Sequence, residues 1–231
     1  MSLRLKLLTL KTNLEINSLY SILIRCRYES GLLFGFLDVD MANEKLSATY
    51  IEMETVQQQL MDPLGESYEQ TITVYNNFKF MLQKLENNSF IMCVFDPPRN
   101  IKKFINNFCG EIHSQSSISA IEISISNFIK NIAISEHFSL TKITKVKTSG
   151  LIINKDSIAN IEITSRHDAI KDLNEYTKQE IASIDRIAGS TTLDENIINF
   201  EASKSGVIYI NTPNCDVSTL VMTAITKDKK F

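Results

Sequence analysis

The apolar positions of this chain repeat mostly every second residue, with two stretches where the period lengthens to that of a helix. Leu3, Leu5 and Leu7 alternate with Arg4 and Lys6, the pattern of a strand with one wet face. The runs Leu19 to Cys26, Gly31 to Val39 and Leu46 to Met53 predict three further strands, parted by polar turns at Arg27 to Ser30 and Met41 to Lys45. Strands this dense in the first fifty residues predict an antiparallel meander. Glu54 to Leu60 fits a strand or a short helix. The segment Met61 to Glu66, MDPLGE, then stops regular structure, because Pro63 and Gly65 both oppose it. Thr71 to Tyr75 favours a strand, and Phe78 to Leu85 satisfies either period.

Phe90 to Phe95 is an unbroken apolar run, the signature of a buried strand. It ends at Asp96-Pro97-Pro98, where missing amides and fixed φ angles forbid an interior strand. Ile101, Phe104, Ile105 and Phe108 follow at helical spacing, with Gly110 as a stop, predicting a helix over about 99–109. Ser119 to Ile125 alternates strictly, and Phe128 to Ile134 continues it while also fitting a helix. Thr141 to Lys147, Leu151 to Ile153 and Ile158 to Ile163 read as strands around turns at Ser149-Gly150 and Asn154 to Ser157. From Ser165 to Gly189 the helical period is longest, carried by Ala169, Ile170, Leu173, Tyr176, Ile181, Ile184 and Ile187. Ser165 is placed to cap it and Gly189 to end it. Ser190 to Ser205 reads as irregular, or as one short helix over Glu195 to Phe200. Gly206 to Ile210 and Val217 to Ile225, joined by the turn NTPNCD, close the chain as a hairpin-like pair, and Lys227 to Lys230 form a solvated end.

These elements predict an α+β fold: mixed or mainly antiparallel sheets covered by two principal helices, about 99–109 and 165–188. The polar segment Glu111 to Ser119 is the natural divide. It gives an N-terminal half, 1–115, and a C-terminal half, 116–231, which also suit one continuous domain. No internal repeat is visible.

Composition narrows the class without naming a function. With 43% apolar residues in 231, the chain fills a real core. Its 24 basic and 27 acidic side chains leave a formal charge of −3, so net charge gives no support for holding a nucleic-acid duplex. Cys26, Cys93, Cys109 and Cys215 share no close spacing, which leaves a redox pair or zinc knuckle unsupported. Cys93 and Cys109 sit in apolar or amphipathic runs and are expected as buried thiols. The N-terminal MSLRLKLLTLKT has its apolar positions broken by charge, unlike a targeting signal, and Leu19 to Ile24 is too short to span a bilayer. A cytoplasmic protein away from membranes is expected.

Candidate chemistry is sparse. Asp38 and Asp40 lie two apart near a strand end, so strand geometry puts them on one face, where they are candidate Mg²⁺ ligands. Glu52 and Glu54 repeat that arrangement. In a hairpin, however, Asp38 and Asp40 face the start of the second strand, away from the glutamates. Asp96 and Arg99 sit where a buried strand turns into a helix, a common site position in α/β units. Arg99, Lys102 and Lys103 would hold a phosphate at that helix start. His167, between Arg166 and Asp168, is the candidate general base, although neighbours on a helix diverge by roughly 100° about its axis. His113, His137 and His167 are too far apart in sequence for a local metal frame. Asp156, Glu162 and Lys171 stand in poorly for the acidic pair and lysine of a restriction-like nuclease. Nothing resembles a P-loop or a G-x-G-x-x-G turn, and with seven glycines phosphate-cradling loops are scarce. Phe and Lys interleave at Tyr75 to Lys84 and Lys102 to Phe108, but the Phe period is that of a core.

The expected function is therefore non-catalytic: a protein–protein interaction or accessory subunit, bound to a partner or to itself, with no cofactor. Its enzyme rival is a Mg²⁺-dependent phosphodiesterase acting on nucleic acid, with Asp38, Asp40, Asp96, Arg99 or His167 among its polar residues.

Overall fold

The computed structural model describes residues 2–85, 89–113, 115–177, 183–193, 195–211 and 217–225. The α+β class holds: strands pair mainly antiparallel, and several helices pack on them. The chain divides into two compact units, one of Leu8–Ser119 and the other of Met1–Leu7 with Ala120–Phe231. Strand β1 (Leu3–Lys11) contributes its first residues to the second unit and its last to the first.

In the first unit, helix α1 (Ile16–Arg25) follows β1, then come β2 (Phe34–Ala42), β3 (Lys45–Met61), β4 (Ser67–Lys84) and β5 (Ser89–Phe95). Helix α2 (Lys102–Ile112) and the short β6 (Ser117–Ala120), which pairs with β1, complete it. The strand order β2-β3-β4-β5-β1 is a meander closed by the opening strand. One face of this sheet packs under α1 and α2, and β5 is buried on both faces. Leu46, Ala48 and Tyr50 on β3, with Phe78, Phe80 and Leu82 on β4, are all even-numbered and buried, as alternation requires. Phe104 and Phe108 of α2 and Leu19 and Leu23 of α1 lie in the same apolar cluster. The Phe104 ring centroid is 5.0 Å from Tyr50, 5.1 Å from Phe78 and 5.3 Å from Phe80, within the range of favourable aromatic pairs.

In the second unit, α3 (Ile125–Ile134) leads to β7 (Phe138–Asn154), β8 (Ser157–Thr164), α4 (Ala169–Thr177), β9 (Arg186–Leu193), β10 (Asn196–Ser203), β11 (Val207–Asn211) and α5 (Val217–Ile225). Its strand order is β8-β7-β9-β10-β11-β1. Helices α3 and α5 pack together, and the Asn131 side-chain amide donates to the Thr223 carbonyl at 3.0 Å. Each unit has a pair of helices that touch each other, α1 with α2 and α3 with α5, beside a mainly antiparallel strand array. No helix among the described residues is long and apolar enough to cross a membrane.

Several expectations are corrected. Leu19 to Cys26 is helix, with Ile16, Leu19 and Leu23 buried at helical spacing. Val217 to Ile225 is also helix. The long helix expected to Gly189 ends far earlier: α4 covers Ala169–Thr177, and Arg186 to Gly189 belong to β9. Its cap is Asp168, whose Oδ1 accepts from the amides of Ile170 and Lys171 at 3.0 and 3.2 Å, while Ser165 Oγ accepts from the His167 amide. Ser190 to Ser205 is a β9–β10 hairpin, with Ile198, Phe200 and Ala202 buried in alternation. Helix α2 runs through Gly110 and stops at His113, in the left-handed conformation. Ile121 to Ile123 lies outside any strand, and Phe128 to Ile134 is helical. Cys109 is half-buried, whereas Cys93 is fully buried. The Lys227 to Lys230 end and Cys215 lie outside the described residues.

Burial sets the thiol chemistry. It pushes Cys93 up to about 12 from 9.0. Cys26 is pushed up to about 11, first by burial and then by donating to Glu111 Oε2 at 3.0 Å. Peptide mass spectrometry after iodoacetamide treatment at pH 8 should find Cys93 unmodified in the folded chain and modified once unfolded. Cys26 should lag behind Cys109. Because the folded value of Cys93 lies above the unfolded one, its contribution to stability is full below pH 9. That contribution is lost as pH rises from 9.0 toward about 12.

Candidate interaction surface

Strands β3 and β4 are far longer than their neighbours. Their register runs without a break from Lys45↔Gln83 to Met61↔Ser67. On one side β2 pairs with β3 only from Lys45 to Glu52, and on the other β5 pairs with β4 only from Phe80 to Lys84. Beyond Met53, which donates its amide to the Leu33 carbonyl, neither outer edge has a ladder partner among the described residues. The seven pairs from Thr55↔Thr73 to Met61↔Ser67 therefore form a free two-stranded arm. At about 3.4 Å per residue it reaches roughly 20 Å.

The turn at the arm's tip is held by one side chain. Asp62 Oδ1 accepts from the amides of Leu64 at 2.9 Å and Glu66 at 2.8 Å, and Gly65 supplies the positive φ of +90° that the reversal needs. This is the MDPLGE punctuation seen in the sequence.

The arm's two faces differ in chemistry. Directly opposed residues of an antiparallel pair share a face, so Val56 with Ile72, Gln58 with Gln70, and Leu60 with Tyr68 lie on the even-numbered face, next to Val74. That face continues the one that buries Tyr50 and Phe80 further in. Here it is open: Val56 is 43% exposed, Tyr68 54% and Val74 40%. The odd-numbered face carries Thr55 with Thr73, Gln57 with Thr71, and Gln59 with Glu69, all polar, and turns apolar only at the tip, where Met61 is exposed beside Ser67.

A polar cluster marks where core becomes arm. Asn107 of α2 donates to the Tyr50 hydroxyl at 2.8 Å, and that hydroxyl donates to Glu52 Oε2 at 2.9 Å. Burial raises the Tyr50 phenol far above its ordinary range, so it keeps its proton, accepting from Asn107 while donating to Glu52. The Lys103 ammonium reaches Glu52 at 3.1 Å and Glu54 at 2.9 Å. Its hydrogen bond holds the Glu54 carboxyl below the usual range. Asn76 donates to the other Glu54 oxygen at 3.4 Å. The cluster satisfies a nearly buried carboxylate at the end of the apolar core.

The candidate site residues do not form one such cluster. Asp38 and Asp40 are both exposed, and a β-bulge between Leu37 and Asp40 breaks the alternation that would put them on one face. Asp38 sits at φ 49° and accepts from Thr49 Oγ1 at 3.1 Å. Asp96, at φ 44°, and Arg99 are exposed after β5, and Lys102 is exposed on the first turn of α2. Lys103 is the one tied into the core-edge cluster, by two carboxylates that a phosphate would have to displace. Asp96 belongs to the first unit and His167 to the second, where His167 is exposed beside an Asp168 whose Oδ1 is engaged by backbone amides. Among the described residues no group of three or more His, Cys, Asp or Glu is arranged to hold a metal ion. In the second unit, Lys147, Arg186 and Lys204 line an open depression of about 460 Å³ with Asp185 and Glu122, a mixed charge set. Arg186 is paired with Glu201 there, at 3.2 Å.

The arm itself was not among the sequence candidates. Its signal lay in the near-symmetry of Val56 and Leu60 with Tyr68 and Ile72 about the MDPLGE turn. A second signal was the lack of any basic residue from Leu46 to Phe78. No protein-family model matches the chain, and a search of curated proteins finds no similar sequence.

Proposed function

We propose that this chain is a non-catalytic interaction or accessory subunit that works in the cytoplasm and engages a protein partner through the β3–β4 arm. The observation that carries this is the open even-numbered face of the arm, which extends a core face and exposes Val56, Tyr68, Ile72 and Val74. An isolated two-stranded ribbon is marginally stable in water, so a partner that covers it stabilises it. Large exposed apolar side chains gathered on one surface are a mark of interaction sites. None of the three described cysteines is in a disulfide, in keeping with a reducing compartment.

Native mass spectrometry of the protein purified from its own source tests this. A second chain at fixed stoichiometry is the expected result. A strictly monomeric chain would overturn it. So would Mg²⁺-dependent cleavage of DNA or RNA that is lost in Asp96→Ala or His167→Ala, since that makes the chain a phosphodiesterase.

A further inference from the structure

The arm is as one-sided in charge as in exposure. From Leu46 to Phe78 the chain has five carboxylates, Glu52, Glu54, Asp62, Glu66 and Glu69, and no Lys, Arg or His. Lys103 pairs with both Glu52 and Glu54 at the base and offsets one of their two charges. The other three lie at the tip turn and on the outer part of β4. Asp62 and Glu66 sit at the tip and Glu69 on the odd-numbered face of a ribbon only two strands wide. With no Lys, Arg or His beside them, their summed charge disfavours a second, equally acidic arm as occupant. A cationic partner gains from the same charges.

The layer structure indicates the partner's shape. Further in, helix α2 covers the even-numbered face, with Phe104 set against Tyr50, Phe78 and Phe80. A helix on the arm would extend that layer and bury the same kind of stripe. Val56 with Ile72 and Leu60 with Tyr68 form two apolar steps four residues apart along β3, separated by the Gln58–Gln70 pair. We infer that the even-numbered face of the arm is the docking surface for an amphipathic helix of a partner protein, apolar toward the arm and flanked by Lys and Arg. A helix of about 14 residues matches a ribbon of roughly 20 Å. This rests on the interaction reading above and adds the site and the chemistry of the partner.

The test titrates the full-length ¹⁵N-labelled protein with a synthetic 18-residue amphipathic peptide of Leu and Lys, and with its Leu and Glu counterpart. The expected shifts from the Leu/Lys peptide concentrate in residues 54–74. Val56→Ser with Ile72→Ser should weaken binding at least tenfold. Glu66→Gln with Glu69→Gln should weaken it several-fold and flatten its salt dependence. The Leu/Glu peptide should not bind. All four positions are in the arm, outside the core, and an unchanged spectrum elsewhere verifies that each variant is folded. Shifts centred outside the arm, equal binding by the serine variant, or equal binding of the Leu/Glu peptide would overturn the proposal. An arm-dependent dimer in analytical ultracentrifugation without peptide would also overturn it, by making a second copy the occupant. If the native complex survives the serine substitutions, the docking surface is wrong while the interaction reading stands. A monomer in the native preparation would remove that reading itself.

Discussion

Phe104→Ala is expected to cost about 3–5 kcal/mol of stability in urea denaturation, the range for deleting a buried aromatic ring. Phe104 is 1% exposed, and it is the side chain through which α2 meets both long strands. Besides Tyr50, Phe78 and Phe80, its ring centroid lies 5.7 Å from Phe108. Truncation leaves a cavity walled by four rings, which cannot all move in without leaving their own contacts. The loss reaches beyond packing, because α2 also brings Asn107 to the Tyr50 hydroxyl and Lys103 to Glu52 and Glu54. Phe104→Leu, which refills most of the volume, should cost less. A loss under about 1 kcal/mol for the alanine variant would mean that α2 is not seated as described.

The second large effect concerns two glycines with opposite outcomes. A Cβ on Gly189 would stand 2.2 Å from the Lys142 carbonyl oxygen and 3.1 Å from Ile143 Cα, where β7 bulges against β9. Both contacts are backbone, so no side chain can swing aside, and Gly189→Ala is expected to destabilise by about 3 kcal/mol or more. The requirement is close approach of two strands rather than a left-handed φ. Gly110 lies within α2 and a Cβ there meets nothing within 4 Å. Gly110→Ala should therefore stabilise, by about 0.5–1 kcal/mol, through helix propensity alone. Thermal or urea denaturation of the two variants checks the sign of each effect. Equal, small losses for both would contradict the β7–β9 geometry.

Gly189 also shows where the sequence misled. It looked like a helix stop because Ile184 and Ile187 keep a helical spacing from Leu173. In the structure Ile187, Gly189, Thr191 and Leu193 are buried in strict alternation. A glycine and a threonine at core positions hid a period of two from any count of large apolar residues. Helices α1 and α5 were missed for a related reason. A short apolar run satisfies both periods, and the choice falls to the surface it packs on, which for α5 is helix α3. Where a stop and a pattern coincide, β1, the MDPLGE turn and β5 follow from local physics; α2 follows the prolines too, but starts at Lys102 rather than 99 and so leaves Arg99 outside it. The arm was half legible. Its turn was plain, but Gln57, Gln58 and Gln59 blurred the alternation of β3, and nothing local distinguishes a strand face that is covered from one that is open. Residue type and spacing alone single out the candidate site residues. A bulge at Asp38, an ion pair at Lys103 and a cap at Asp168 are decided by contacts that spacing does not encode.

The central claim, that the even-numbered face of the arm meets a basic amphipathic helix of another protein, is tested most directly by photocrosslinking in the source cells. A benzoylphenylalanine at Tyr68, on that face, is predicted to give one discrete adduct whose crosslinked peptide is amphipathic and rich in Lys and Arg. The same probe at Thr71, on the polar face, should give none. Equal adducts from the two positions, or none from Tyr68, would contradict it.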